Sequence, residues 1–358
     1  MADQLGINGL VRRSRLLPIA IAVALVAISC GGSTSGGQSG PIKIALFGYG
    51  AANTYTEEVY HAAADYAAAH GAAVTFFDGK FDFPTQEHQM IDATTSGQYQ
   101  GYLLLPNDIA GMVTPVKSAI SHNIKVVTLH FQIGGQFTED TQVPGLLACI
   151  CASFSAGATQ IANMVVTQCA NKNPCNVINF YGIKTFSWET PRRAAYNAVI
   201  GQHSNIKLLV EPDDNFDQGQ AYKTMKDLLQ GHPHIDVVSS PSADQETLGA
   251  ETALREAGYA IGGSNGVALI GNSSTYQGVA KVRSGDWVAT YVHCPQTCEA
   301  NIGVQDVLDS LGGKTVAPVT LEDGPQGPWA HCYDPAFPGL VDSVFLTNCP
   351  QYTGEYQG

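Results

Sequence analysis

The stretch "IALFGYGAANTYTEEVYHAA" spans Ile44 to Ala63. An apolar strand runs into a glycine-containing loop, and the loop into a helix. Thr54 and Glu57 form a capping box at the helix start, and Val59, Ala62, Ala63 and Tyr66 recur at a 3.6-residue period. A strand, a glycine loop and a helix N-terminus are the parts of a phosphate-binding site. A dinucleotide loop also needs Gly-x-Gly-x-x-Gly, whose third glycine lets the helix pack close to the strand. Here Gly48 and Gly50 are followed by Asn53, and no Gly-x-x-x-x-Gly-Lys lies nearby. The stretch therefore predicts a parallel α/β unit with a loop built for something other than a nucleotide.

The same alternation continues outward. Strand-like runs "IKIALF", "AAVTFF", "YLLLP" and "KVVTLHF" are separated by helical patterns at 54–70, 85–95 and 114–123. The pattern stops near Phe131, and a polar stretch follows to Gly145. It restarts with "CNVINFYG", "IKLLVEP", "IDVVSS", "VALIGN" and "WVATYVHCP", alternating with helices at 190–201, 218–229, 245–257 and 276–284. Strands separated by such helices imply right-handed βαβ units. The expected fold is α/β, with two Rossmann-like lobes, each a parallel sheet flanked by helices. One more helix, 300–313, precedes "TVAPVTLED", and 322–358 reads as an irregular Cys-rich tail.

The N-terminus reads as a processing signal. Arg12, Arg13 and Arg15 precede an apolar run from Leu16 to Ile28 that is too short to span a bilayer. "VAISCGG" resembles a bacterial lipobox, with Cys30 as the lipidated residue after cleavage of 1–29. "GGSTSGGQSG" (31–40) then serves as a tether. The expectation is export and lipid anchoring on the outer face of the bacterial cytoplasmic membrane. Loss of 1–29 leaves fifteen Lys and Arg against thirty Asp and Glu, a net charge of −15. Such a surface repels polyanions, so nucleic acid is excluded as a partner.

Eight cysteines follow Cys30, and outside the cytoplasm an even number suggests disulfides. Cys169 and Cys175 are close in sequence, as are Cys294 and Cys298, while Cys332 and Cys349 share the tail. Cys149 and Cys151 are left as the remaining disulfide candidates, too close in sequence to pair comfortably. There is no Cys-x-x-Cys and no paired histidine at finger spacing, so neither metal nor cofactor is expected.

Ligands of open parallel sheets sit beyond the carboxyl ends of the strands. Those ends carry Tyr49, Asn53 and Tyr55; Asn107 and Asp108; His130 and Phe131; Phe186 and Trp188; Phe216; Asp244; Asn272 and Ser273; and His293. Rings and amides with few charges suit a small neutral polyhydroxylated molecule. Asn53 and Asp244 also read as helix caps. "GGSNG" (262–266) fits a hydrolase elbow in letters only, since it follows a helix and opens a strand.

In order and spacing, "IALFGYGAANTYTEEVYHAA", "YLLLPNDIAGMVTPVKSAISHNIKVVTLHF", "VINFYG" and "PHIDVVSSPSADQETLGAETALREAG" resemble the type I periplasmic-binding proteins, of the ribose-binding branch that serves ABC importers. "LIGNSSTYQGVAKVRSGDWVATYVHCP" continues the match. The resemblance implies an N-terminal lobe of 42–148 plus 295–321 and a C-terminal lobe of 152–293 plus 322–358. It implies a three-segment hinge near 149–153, 293–296 and 319–323, and a monomer that delivers its ligand to a permease and an ATPase. It places sugar against Tyr49, Asn53 and Tyr55. Where the family commonly has Asp-Arg after the fourth strand, this chain has His130-Phe131. The family's second-lobe Arg falls on Thr190, its Asp on Ser273 and its Gln on His293. A charged hydrogen bond is worth about 1.5–3 kcal/mol. These departures imply a ligand less hydroxylated or more apolar than a pentose, such as a deoxy sugar, polyol or glycoside. The same architecture also serves sensory receptors. As an enzyme it would have to rely on Ser273 with His130 or His293.

Overall fold

The structure is a computed structural model that describes residues 40–138, 140–183, 185–186, 188–323 and 329–357. The signal segment, Cys30 and nearly all of the tether lie outside them. The opening strand β1 (Ile42–Gly48) has its last five residues fully buried. Helix α1 (Thr54–Ala69) begins at Asn53, whose side-chain oxygen accepts from Thr56 N at 3.0 Å. The glycines between them answer the question the sequence raised. A Cβ on Gly48 would meet Thr56 and Phe76 side-chain atoms at 2.5 and 2.6 Å. One on Gly50 would meet the Phe81 ring at 2.7 Å. These glycines admit side chains, not a phosphate.

From there the chain runs β2 (Ala72–Asp78), α2 (Phe83–Ser96), β3 (Gly101–Leu104), α3 (Val113–Ser121), β4 (Lys125–His130) and β5 (Ala148–Cys151). With β11 (Val319–Leu321) these strands form a wholly parallel sheet in the order β11-β5-β4-β3-β1-β2. A second sheet begins after α4 (Phe154–Cys169). It is built from β6 (Cys175–Asn179), α5 (Glu189–Ile200), β7 (Ile206–Val210), α6 (Gln218–Gly231), β8 (Val237–Ser239), α7 (Asp244–Glu256), β9 (Ala268–Asn272), α8 (Tyr276–Ser284) and β10 (Ala289–Tyr291). Its order is β12-β10-β9-β8-β6-β7. The edge strand β12 (Leu340–Val341) runs antiparallel to β10, and α10 (Ser343–Asn348) follows it. The tail is thus less irregular than its composition suggests. Each sheet is covered by helices, and most residues of the central strands are buried, as parallel sheets require.

The chain passes between the sheets three times: after β5, after β10, and after β11. The second passage is a single wide turn of π-helix, Pro295–Ala300, running into α9 (Asn301–Leu311). The passages are stitched together by two consecutive carboxylates. Asp323 accepts from Ser153 N at 3.0 Å and from Tyr291 Oη at 2.7 Å. Glu322 accepts from Cys294 N and donates its own N–H to Cys151 O at 3.2 Å.

The sulfurs pair as Cys149–Cys151, Cys169–Cys175, Cys294–Cys298 and Cys332–Cys349. The first pair corrects the expectation that Cys149 and Cys151 are too close. Residues i and i+2 of a strand face the same way, and their Cα atoms, 5.5 Å apart, lie within the usual disulfide span. Both this pair and Cys294–Cys298 flank passages between the sheets.

Candidate functional site

The carboxyl ends of both sheets face a common cavity of about 240 Å³. That is smaller than the roughly 300–1,000 Å³ of drug-sized sites, so it suits a small ligand. From the first sheet come Tyr49, Asn53, Tyr55, Phe81, His130 and Phe131; from the second come Phe186, Trp188, Arg192, Phe216 and Ser273. Gln245, from the start of α7, and Tyr356, from the tail, complete the wall beside His293.

Rings meet across the lobes. Phe131 stacks on Trp188 at 4.2 Å between centroids and on Phe154 at 4.4 Å. Tyr49 lies 6.2 Å from Trp188, and Phe81 lies 6.5 Å from Phe186. Backbone strain accumulates along this wall. Phe81, His130, Phe216 and Ser273 take φ of 53°, 64°, 56° and 108°, left-handed values that side chains other than glycine seldom adopt. Strain of this kind persists where the surroundings over-determine it, and here it turns side chains into the cleft.

The polar groups fall into three sets. Arg192 is buried and donates from Nη1 to Glu189 at 2.7 Å and to Ser242 Oγ at 3.4 Å. Tyr49 Oη and Gln245 Oε1 are buried among the rings without a protein partner. Buried polar atoms rarely stay unpaired, so these two are available to a ligand. Behind the wall, Tyr55 Oη donates to Glu299 Oε1 at 2.6 Å. His130 Nδ1 lies 2.9 Å from Glu299 Oε1 and 3.3 Å from Glu322 Oε1, and His293 Nδ1 lies 2.8 Å from Glu322 Oε1.

Burial opposes charge on His130, but the hydrogen bonds to Glu299 and Glu322 outweigh it and lift its pKa to about 9. Burial dominates at His293 and brings it down to about 4. Burial, with the charge of Glu322 beside it, pushes Glu299 up to about 7. Burial would also raise Glu322, yet hydrogen bonds from both imidazoles hold it well below the usual carboxylate range. Donor atoms of His130, His293 and Glu322 all lie within 4.8 Å of one another, the one such set near the cleft among the described residues.

Among the expected site residues, Tyr49, Asn53, Tyr55, His130, Phe131, Trp188, Phe216, Ser273 and His293 line the cleft. Asn53 combines this with its capping bond. Several others do not line it. Asn107 Nδ2 donates to Tyr49 O at 3.1 Å and to Gly79 O at 3.3 Å, bracing two loops. Thr190 is exposed, on the far side of α5 from the buried Arg192. Asp244 points into the second lobe, accepting from Thr275 N, Thr275 Oγ1 and Thr290 Oγ1 at 2.7–2.9 Å. Nor does it cap α7, whose N-cap is Ala243. Asn272 Nδ2 donates to Pro241 O. The expected loss of charge is also corrected: Arg192 stands two residues beyond Thr190 and puts a guanidinium in the wall. Phe186, also read as a strand-end ring, lines the cleft too, while Phe81, Arg192, Gln245 and Tyr356 were missing from the expected set. The Glu189-x-x-Arg192 spacing, one helical turn, was the sequence signal for Arg192.

The sequence profile described as "Periplasmic binding protein domain" matches residues 44–315. A xylitol-binding protein of Mycolicibacterium smegmatis is 24% identical over 291 residues, 81% of this chain and 78% of that one. The ribose import binding protein RbsB of Bacillus subtilis is 23% identical, over 70% of this chain and 77% of its own. An ABC-transporter solute-binding protein from Mycobacterium smegmatis with bound glycerol superposes with a TM-score of 0.69 at 22% identity, covering 89% of this chain and all of that one. One from Actinobacillus succinogenes with bound D-allose gives 0.70 at 18% identity, covering 87% and 100%.

Proposed function

The chain belongs to the periplasmic-binding-protein family, and from that membership we propose that it captures a small neutral polyhydroxylated solute for an ABC importer. The observation that carries this reading is the wall itself. Stacked rings offer faces to C–H groups, while Tyr49 Oη, Gln245 Oε1 and the free donors of Arg192 offer hydrogen bonds to hydroxyls. Arg192 supplies one charged contact, so the ligand is a polyol, a deoxy sugar or a glycoside with a few well-placed oxygens. The relative named for xylitol agrees with this class. Binding without turnover is supported by the matched family and by relatives that are named as binding proteins.

Cys30 carries the lipid, and residues 31–40 tether the folded body to the outer face of the membrane. Substituting Cys30 by Ala moves the chain from the membrane fraction to the soluble one. The test of ligand class is a thermal-shift screen against pentitols, inositols, deoxy sugars and glycosides, followed by calorimetry. A member of these classes raises the melting temperature by mass action. Tight ribose binding, with none of the others bound, refutes the ligand assignment.

A further inference from the structure

Beneath the cleft floor, four side chains of ligating types meet from distant parts of the chain. His130 ends β4, His293 follows β10, Glu299 sits on the π-helical turn, and Glu322 follows β11. All are buried, with Glu299 and Glu322 fully so. Among the described residues, no lysine or arginine bonds either carboxylate; their only cationic partners are the two imidazoles.

Hydrogen bonding leaves this cluster incompletely matched. His130 Nδ1 has three oxygens in reach: Tyr55 Oη at 3.0 Å, Glu299 Oε1 at 2.9 Å and Glu322 Oε1 at 3.3 Å. One N–H cannot serve all three well. Both imidazoles converge on the same oxygen, Glu322 Oε1. Glu299 Oε2 is buried with no partner. His130 is held there by a left-handed φ of 64°.

We propose that His130, His293 and Glu322 form a binding site for one divalent transition-metal cation of the zinc class, with Glu299 held beside it by His130. Two imidazole nitrogens and a carboxylate oxygen are a donor set that such ions take. Ligands at about 2.0–2.2 Å in a tetrahedron stand roughly 3.4 Å apart; the two imidazoles lie 2.8 and 3.3 Å from Glu322 Oε1, and the three donor atoms are all within 4.8 Å of one another. A doubly charged cation neutralises both carboxylates and leaves both histidines uncharged. Tyr55 Oη, bonded to Glu299, then acts as an outer-shell support. The ion would join the end of a first-sheet strand to the second and third passages between the lobes. No short motif announces it, because the ligands are spread from 130 to 322 in sequence.

The rival occupant is a set of shared protons, and the test separates the two. The full chain is stripped with a chelator, dialysed against zinc, and analysed for bound metal and melting temperature. One zinc per chain and a higher melting temperature are expected. His293→Ala and Glu322→Gln should lose the metal by more than the ~10–100-fold that removing an outer-shell partner costs. Circular dichroism checks that each variant is folded. Tyr55→Phe keeps the ligands and is expected to weaken binding only within that outer-shell range. His331→Ala, beside the Cys332–Cys349 bridge, should leave the stoichiometry unchanged. A chain that retains no zinc, or one whose zinc survives in folded His293→Ala and Glu322→Gln, overturns the site.

Discussion

Replacing Trp188 by Ala should open the molecule. Trp188 is buried on the second lobe and touches two rings of the first: Phe131 at 4.2 Å, nearly parallel, and Tyr49 at 6.2 Å. Each aromatic pair contributes about 0.5–1.5 kcal/mol beyond the area it buries. Removing both weakens cross-lobe cohesion by about 1–3 kcal/mol, a factor of about 5–150 in the closed-to-open ratio. Small-angle scattering of the ligand-free protein reads this as a larger radius of gyration, and saturating ligand should restore part of the compaction. Trp287→Ala is the control. That side chain is equally buried but lies within the second lobe, where its Nε1 donates to Glu251 at 2.8 Å. It should lower the melting temperature without changing the scattering envelope. If Trp188→Ala scatters like the parent while both variants lose similar stability, the stack is ordinary core and the argument fails.

Glu246 is fully buried with neither carboxylate oxygen partnered, and burial pushes its pKa up to about 8. Since its folded pKa exceeds the unfolded value near 4.5, the folded state holds the extra proton. Its contribution is therefore complete at low pH and declines as pH rises from about 4.5 to 8, by up to ~1.4 kcal/mol per unit. Glu246→Gln should flatten that decline in urea titrations; an unchanged pH slope contradicts the assignment. Arg192→Ala leaves the buried Glu189 carboxyl without its cationic partner, an expected loss of about 3–5 kcal/mol, and adding Glu189→Ala should recover much of it. A double variant no more stable than the single one would show that the pair is not the source. Among the disulfides, loop entropy predicts a loss of about 3 kcal/mol for opening Cys332–Cys349, seventeen residues apart, and about 2 for Cys169–Cys175, six apart. Chemical denaturation of the paired Ser variants checks the ranking.

The strands and the first helix were legible because burial imposes simple periods. β1, α1 and the aromatic strand ends could be read from local pattern alone. Helix α4 escaped, since "FSAGATQIANMVVTQC" is rich in small residues and sits between cysteines. β12 has two residues, too few to show alternation. Site residues failed where direction mattered more than position. Asp244 stands at a strand end, yet Thr275 and Thr290 draw its carboxylate inward. Thr190 and Arg192 differ by two positions and so face opposite ways on α5. Glu299 and Glu322 were invisible because only the folded chain brings them beside His130.

The tail extends this point. The family profile ends at residue 315, but Tyr356 lines the cleft, packs edge-on against Tyr55 at 5.2 Å, and accepts a backbone bond from Tyr276. One panel of the cleft wall thus comes from beyond the span of the family profile. Substitutions at that panel can then reshape the cleft while the parallel strands of both sheets stay fixed. An alignment confined to the profile's span omits that panel whenever it is used to infer a ligand.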